Sequence, residues 1–555
     1  MSKYSIGVDF GTLSGRAVLV NLESGDEVVS ESYDYPHGVM NEYLPGSSAK
    51  LPPETALQDP QDYLDVLAVT IPKILKSTGV CKEDVVGVGV DFTSCTILPV
   101  DKEGIPMCFH TDLKLNPHAY VKLWKHHAAQ YEADKLNRIA RERGETFLKR
   151  YGGKISSEWV VPKAMQIMDE APDVYEMTDR IMEAADWIVL MLTGEEKRSA
   201  CNAGYKAIWS KRDGYPSEEF FGALDPRMRN FVDDKLNRNI YSTVCRAGGI
   251  TAKAAALTGL QEGTSVAVGN IDAHVALPAV GITNPDEMLM IMGTSTCHIM
   301  MSSEEKMVPG VGGVVEDGVL PGYYAYEAGQ ACVGDHFQWF VENCLPAAYY
   351  DEAKKQCRNI YKILQEKAGL LRPGQSGLVA LDWWNGNRSI LTDANLSGMI
   401  LGCTLNTKAE EIYRALIEAT AYGTRVIIEE FEKNGVPIKR LYAAGGIPQK
   451  DALVMQIYAD ITKREIRIAD SENSCALGAA IFGAVAAGTA RGGFGGIEEA
   501  AAKMGRIKQI SYRPEAQNSV IYDRLYAEYK TLHDYFGCGG NDIMKRLKLL
   551  RNEVL

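Results

Sequence analysis

Two stretches of the chain share one pattern of apolar and polar positions. Residues 5–20 (SIGVDFGTLSGRAVLV) and residues 288–301 (MLMIMGTSTCHIMM) each carry an apolar run into a Gly-Thr turn with hydroxyl side chains, then into a second apolar run. Such a pattern around a glycine-bearing loop predicts a β-hairpin. A further strand-like run follows each hairpin, VVGVGVDFTSCTILPV at 85–100 and LYAAGGIPQ at 441–449, each at the edge of a helical segment. The same elements recur in the same order, which predicts two related halves.

Helical spacing marks residues 120–143, with Leu123, Trp124, His127, Tyr131, Leu136 and Ile139 on one face, and residues 408–433. Strands mixed with helices predict an α/β or α+β protein. The Pro, Gly and Asn cluster at 278–286 (PAVGITNPD) reads as a linker or hinge, so domains are expected at 1–280 and 281–555. The tail from Ser511 onward reads as helical, with a basic end that suits a solvated face. The apolar runs WIVLML (187–192) and CALGAAIFGAVAA (475–487) fall short of the ~18 to 20 residues that span a bilayer, and read as core helices.

Composition narrows the class. The 555 residues are 46% hydrophobic and 24% charged, which suits an enzyme-sized globular chain of several domains. Asp plus Glu number 72 against 59 Lys plus Arg, a net charge of −13 that opposes nucleic acid and anionic lipid as partners. Twelve cysteines without a CxxC pair predict reduced, mostly buried thiols. The opening MSKYSIGVDFGT meets Asp9 before any long apolar stretch, so a secretory signal is not expected and a cytoplasmic location is.

The octapeptide from Asp9 to Arg16 (DFGTLSGR) carries the first chemistry. A carboxylate at the end of a buried strand needs hydrogen bonds or a cation. The loop after it combines glycine with hydroxyls, and its N–H groups can cradle phosphate oxygens. Asp9 would then hold hydrated magnesium, and Gly11, Thr12, Leu13 and Ser14 would meet a triphosphate; the alternative, less favoured even from this peptide alone, is an ordinary hairpin turn with Asp9 bonding its own loop. The echo at Gly293 and Thr294 favours the first reading. No GxxxxGK[ST] loop is present, GGK at 152–154 being followed by Ile155, and GVGVDF at 87–92 lacks the third glycine of a dinucleotide fingerprint. His126-His127 lacks the spacing that seats zinc on a helix.

Five motifs in order, DFGTLSGR (9–16), GVDFTSCT (89–96), GNIDAHVALPAVG (269–281), GTSTCH (293–298) and AAGGIPQKD (443–451), resemble those of the FGGY carbohydrate kinases. The resemblance runs from residue 5 to about residue 490. It implies an α/β fold of two actin-like, ribonuclease H-like domains, each a mixed five-stranded sheet flanked by helices, with an ATP and sugar cleft between them. DFGT followed by SGR, with DFTSCT, is similar to the branch of the family that phosphorylates L-ribulose in L-arabinose breakdown. D-ribulose, xylulose, glycerol or a pentitol are the substrates of neighbouring branches, and an actin-like ATPase without a sugar is the alternative of a different class.

The resemblance assigns the residues. Asp272 corresponds to the family's aspartate base and a second carboxylate near the Mg2+; otherwise it caps the helix that follows. Ser94, Trp124, Lys206, Asp272 and Glu327 would line the sugar pocket, with Trp124 as its apolar wall and Lys206 and Glu327 fixing hydroxyls. Their alternatives are a helix anchor for Trp124, a surface position for Lys206 and an ordinary salt bridge for Glu327. Gly293, Thr294, Gly445, Gly446 and Gln449 would meet ATP, with Ala476 to Ala480 as a flat floor for the base or as close helix packing. His274 reads as a satisfied core or cap residue. A homodimer is what the family implies.

Overall fold

The computed structural model describes residues 2–554. Strands of the first half form one seven-stranded sheet: β1 (Tyr4–Phe10), β2 (Ser14–Asn21), β3 (Glu27–Asp34), β4 (Val85–Phe92), β5 (Arg246–Gly249), β6 (Ser265–Ala267) and β7 (Asn270–Ile271). The order is β5-β6-β4-β1-β2-β3, with β7 beside β4. The second sheet, also seven-stranded, holds β8 (Glu287–Met292), β9 (Thr296–Ser302), β10 (Gly313–Glu316), β11 (Tyr324–Gln330), β12 (Arg440–Ala444), β13 (Ile466–Ala469) and β14 (Ile507–Tyr512). Its order is β10-β11-β9-β8-β12-β13-β14.

The duplication is exact in topology. In both sheets a hairpin (β1-β2, β8-β9) takes a third antiparallel strand on one side (β3, β11) and two parallel strands on the other (β4 then β6, β12 then β13). Those five strands are the expected sheet of each half. The additional strands, β5 and β7 in the first and β10 and β14 in the second, sit beside this common core and raise the count to seven.

The helices that position the site are α1 (Pro60–Thr78), α2 (Val160–Glu170), α3 (Asp272–Ala279), α4 (Gly334–Cys344), α5 (Ala409–Lys433) and α6 (Ser474–Ala487). Helix α6 belongs to the second half of the chain but lies on β1 and β4 of the first sheet. Small residues make that approach feasible: a Cβ on Gly7 would sit 1.7 Å from the Ala476 carbonyl oxygen, and one on Gly89 1.8 Å from that of Ala479. Gly478 meets α3 in the same way, 2.0 Å from the Val275 oxygen. Ala476 to Ala480 are buried in these contacts, as the close-packing reading requires.

Other expectations need correction. The 120–143 helix begins only at Gln130; before it, Val121–Lys122 pairs with Leu57–Gln58, and the Leu123 N–H bonds to Ala56 O, so tertiary pairing overrides helical periodicity. Trp124 and His127 thus lie on a loop, and Tyr131 is 74% exposed. The 278–286 stretch is no loose linker, since Pro278 and Ala279 close α3 and Val280 and Ile282 are fully buried. The two core helices form as expected, at Ala184–Thr193 and α6, and the tail is helical at Ala516–Gly537 and Ile543–Val554, though Ser511 and Tyr512 close β14 before it. Among the described residues no helix is long and apolar enough to cross a membrane.

Candidate active site

The tripeptide VDF occurs twice near strand ends, at 8–10 and 90–92, and the parallel pairing of β1 with β4 sets the copies in register, Asp9 opposite Asp91 and Phe10 opposite Phe92. Because side chains alternate across a strand, the two phenylalanines share one face and the two carboxylates the other. The rings stack at 4.3 Å and Tyr63 of α1 meets both edge-on, which anchors the strand ends. On the opposite face Asp91 is buried, and neither carboxylate oxygen has a hydrogen-bond donor. Burial, then Asp9 and Asp272, push Asp91 well above the usual carboxylate range. Asp9 is raised by burial too, against the opposing pull of its Asp91 contact and of Arg16.

Asp272 is the first residue of α3, and its Oδ1 accepts the N–H of Ala273 at 2.6 Å. Burial and the nearby Asp9 raise it to about 7, against that hydrogen bond. Three carboxylates from separate parts of the chain thus face one space. Asp91 was not singled out from the sequence, although the repeated VDF was the signal that could have found it.

A second group of charges adjoins Asp272. Lys206 ends the helix Ala200–Lys206 and Glu327 sits in β11; both are buried, and Lys206 Nζ donates to Glu327 Oε2 at 2.8 Å. Burial alone would lift Glu327, but Lys206, with His274 and Arg388, brings it down to about 2. The Lys206 ammonium also lies over the Trp159 ring at 5.5 Å. His274 is buried, yet neither ring nitrogen is hydrogen-bonded, so the expected satisfied residue is not found; Nε2 lies 3.7 Å from Glu327. Burial lowers it to about 4, which keeps the ring neutral at pH 7.

Ser94 lies on the turn after β4, where Cys95 takes a left-handed conformation, φ 57°. Trp124 is half-buried, and its indole N–H donates to Thr12 Oγ1 at 3.1 Å. Both segments are held from behind by Lys163 of α2, a fully buried ammonium that donates to the carbonyls of Cys95 at 2.6 Å and Leu123 at 2.9 Å. Burial lowers Lys163 to about 8. Sequence reading missed it, since a lysine in the run VVPKAMQIM carries no sign of its partners.

The two hairpin turns expected to meet phosphate are both well anchored. Gly11 N–H bonds to Ser14 O at 3.0 Å, and the Gln58 side chain donates to Thr12 O at 2.7 Å. The Leu13 side chain is 62% exposed, leaving its backbone as the useful part. In the second turn the N–H groups of Val333 and Gly334, at the start of α4, bond to Thr294 O and Gly293 O, both at 2.9 Å. The amides of Gly11 and Gly293 are used within their own turns, on Ser14 O and Ser295 O, so an anion would meet the remaining amides of each turn. Gly445 adopts φ 95°, and a Cβ there would strike Met292 O at 2.5 Å, so only glycine lets this loop reach the second turn. Gly446 opens to free space, while the Gln449 side chain is committed to Ala469 O at 2.6 Å.

A duplicated sheet of this order, with a hydroxyl-bearing turn in each half and buried carboxylates near the first, has the architecture of the actin-like ATPase fold. The N-terminal domain of the FGGY family of carbohydrate kinases matches residues 4–279, and its C-terminal domain matches residues 288–487. The chain belongs to that family and is an ATP-dependent sugar kinase. Among its relatives are ribulokinases from Bacillus licheniformis, 58% identical over 97% of this chain and 98% of that one, and from Halalkalibacterium halodurans, 56% identical over 99% and 98%. Solved structures of the same fold include a ligand-bound xylulose kinase from Lactobacillus acidophilus, with TM-score 0.79, 18% identity and coverage of 97% and 99%. A glycerol kinase from Plasmodium falciparum with ADP has TM-score 0.74, 15% identity and coverage of 96% and 98%.

Proposed function

We propose that the chain transfers the γ-phosphate of ATP to the primary hydroxyl of L-ribulose, giving L-ribulose 5-phosphate and ADP in L-arabinose breakdown. The observation that carries this reading is Asp272, a carboxylate raised to about 7 and set beside the Lys206–Glu327 pair. A base with a pKa near the working pH combines enough ionised form with enough proton affinity. The choice of sugar is supported by the ribulokinases aligned over almost the whole chain.

In this reading Asp272 orients the primary hydroxyl and takes its proton as the oxygen attacks phosphorus. Lys206 and Glu327 hold sugar hydroxyls through charged hydrogen bonds, Trp124 covers the C–H face, and Ser94 closes the pocket rim. Gly11, Thr12, Leu13 and Ser14 meet the phosphates from one side and Gly293 and Thr294 from the other, with Gly445, Gly446 and the backbone near Gln449 toward the nucleoside. Positioning and charge neutralisation supply most of the rate in phosphoryl transfer. We keep the division at residue 280, a cytoplasmic location and a homodimer as parts of the same reading.

The carboxylates fit a divalent cation: Asp91 is buried without a donor, and Asp9 and Asp272 stand near it. Asp9, through water, and Asp272 would hold Mg2+ arriving with ATP, and the ion would neutralise phosphate charge. Proton transfer and sugar positioning fall to the chain's own residues.

The test is ADP release with Mg-ATP against L-ribulose, D-ribulose, D-xylulose, ribitol, glycerol and no sugar. The fastest turnover is expected with L-ribulose; preference for another polyol would overturn the substrate, and hydrolysis indifferent to sugar would overturn the kinase role.

A further inference from the structure

The segment DWWNGNRS at 382–389 belongs to none of the motifs that marked the site, yet it delivers a cation to it. Its backbone is pinned to β11: Ser389 N–H donates to Gly329 O at 3.1 Å, and Gly329 N–H returns a bond to Ser389 Oγ at 3.2 Å. Asn387 is tied to Asp393 in both directions, at 3.0 and 2.9 Å. Arg388, between these anchors, crosses Gly329, where an added Cβ would lie 3.3 Å from Arg388 Cδ and 3.5 Å from Nη1. Gly329 pairs with Cys297, the residue just past the second phosphate turn. Arg388 therefore stands between that turn and Glu327, which shares the face of β11 two residues away.

Among the described residues the Arg388 guanidinium makes no hydrogen bond, and its one ion pair is Glu327 Oε1 at 3.9 Å, beyond hydrogen-bond reach. Its side chain is 36% exposed, and its charge acts on Cys297 and Glu327 of the second half and on Glu158 and Cys95 of the first. Residues of both halves thus lie near its guanidinium.

Charge balance indicates the ligand. Glu327 is the carboxylate held ionised here, Lys206 is committed to it at 2.8 Å, and Arg16 donates to Asn473 at 2.8 Å, which leaves Arg388 as the one of these three cations without a hydrogen-bond partner. A transferring phosphoryl group adds more negative charge. A free planar donor fork suits two phosphoryl oxygens, whereas a neutral sugar hydroxyl needs no further cation beside the Lys206–Glu327 pair.

We propose that Arg388 is a further catalytic residue, whose guanidinium takes the oxygens of the phosphoryl group during transfer and holds them on the sugar phosphate. The bond from the γ-phosphorus to the bridging oxygen of ADP breaks, and the bond from the sugar's primary oxygen to phosphorus forms. The hydroxyl proton passes to Asp272 and the electron pair of the broken bond leaves with ADP. Arg388 neither gains nor loses a proton. The inference rests on the kinase reading above.

The experiment uses the full chain, the sugar turned over fastest in the panel, and the variants Arg388→Met and Arg388→Lys. Steady-state rates are combined with calorimetric Kd values for the sugar alone and for its phosphate. Arg388→Met is expected to bind sugar within about threefold of the parent, to bind the sugar phosphate about tenfold or more weakly, and to lose about 100-fold or more in kcat. Arg388→Lys, which keeps the charge without the fork, should recover part of that kcat. Equal weakening of sugar and product with kcat retained would overturn the assignment in favour of sugar reading, and no change in either would make Arg388 a bystander. Should the Met variant fail to fold, Arg388→Lys decides: a kcat about tenfold lower with sugar Kd intact supports the proposal, and an unchanged kcat ends it. Failure of the kinase reading would show separately, as sugar-independent hydrolysis by the parent chain.

Discussion

The indole N–H of Trp124 donates to Oγ1 of Thr12 at 3.1 Å, which ties the side chain proposed as the sugar pocket's wall to the turn proposed to grip phosphate. Under that proposal one hydrogen bond, between residues 112 apart in the chain, joins the sugar and nucleotide subsites.

Trp124→Phe keeps the wall and removes that bond. A neutral hydrogen bond contributes about 0.5–1.5 kcal/mol, so sugar KM should rise about two- to tenfold. Combined with Thr12→Val, the second change should add little to the first. A double-mutant cycle with effects that simply sum would show that the bond is absent from the working enzyme.

Asp272→Asn should bind sugar and ATP normally while kcat falls about 10²- to 10⁴-fold, the usual share of a general base. The parent's sugar kcat/KM should fall with pH on the acid side, because a raised pKa keeps the base protonated as pH drops through about 7. A divalent cation in the site moves that limb lower. A profile with no acid limb at any pH where the chain stays folded would remove Asp272 from the role.

The Lys206–Glu327 pair is buried, so removing one partner leaves a charge without compensation. Lys206→Met or Glu327→Gln should cost about 3–5 kcal/mol, read as a lower Tm, and should abolish tight sugar binding. Glu327 is depressed to about 2 from an ordinary 4.5, so its contribution is complete above pH 4.5 and is lost as pH falls through about 2. A double Lys206→Met, Glu327→Leu chain should regain Tm without regaining the sugar, and recovery of both would make the pair purely structural.

Lys163 holds the backbones next to Ser94 and Trp124 through Cys95 O and Leu123 O, and is expected to act as a positioning residue for them. Lys163→Met should raise sugar KM by about tenfold or more with ATP KM nearly unchanged. Calorimetry of sugar binding separates this from simple destabilisation: a lower Tm with normal sugar affinity would deny Lys163 any part in shaping the pocket.

The hairpins at 5–20 and 288–301, the parallel strands after them and the helical tail were legible in the chain, because period-two and helical patterns record which face of a local element is buried. The ordered motifs carried the family and Asp272 with it. Legibility stopped where partners are distant in sequence. Trp124 was assigned to a helix because its spacing suited one, and only the pairing of residues 121–123 with 56–58 placed it on a loop beside Thr12. Asp91 became part of the site through the register of β1 with β4, Lys163 through three backbone carbonyls, and Arg388 through the docking of 387–390 on β11. The sequence by itself determined the duplicated hairpins and, through its ordered motifs, the family, since each is encoded in contiguous residues; the phosphate turns and Asp272 as base are proposals that come with that resemblance. The tertiary structure decided which buried charges meet, because a buried ion is stabilised only by partners that folding brings from elsewhere in the chain.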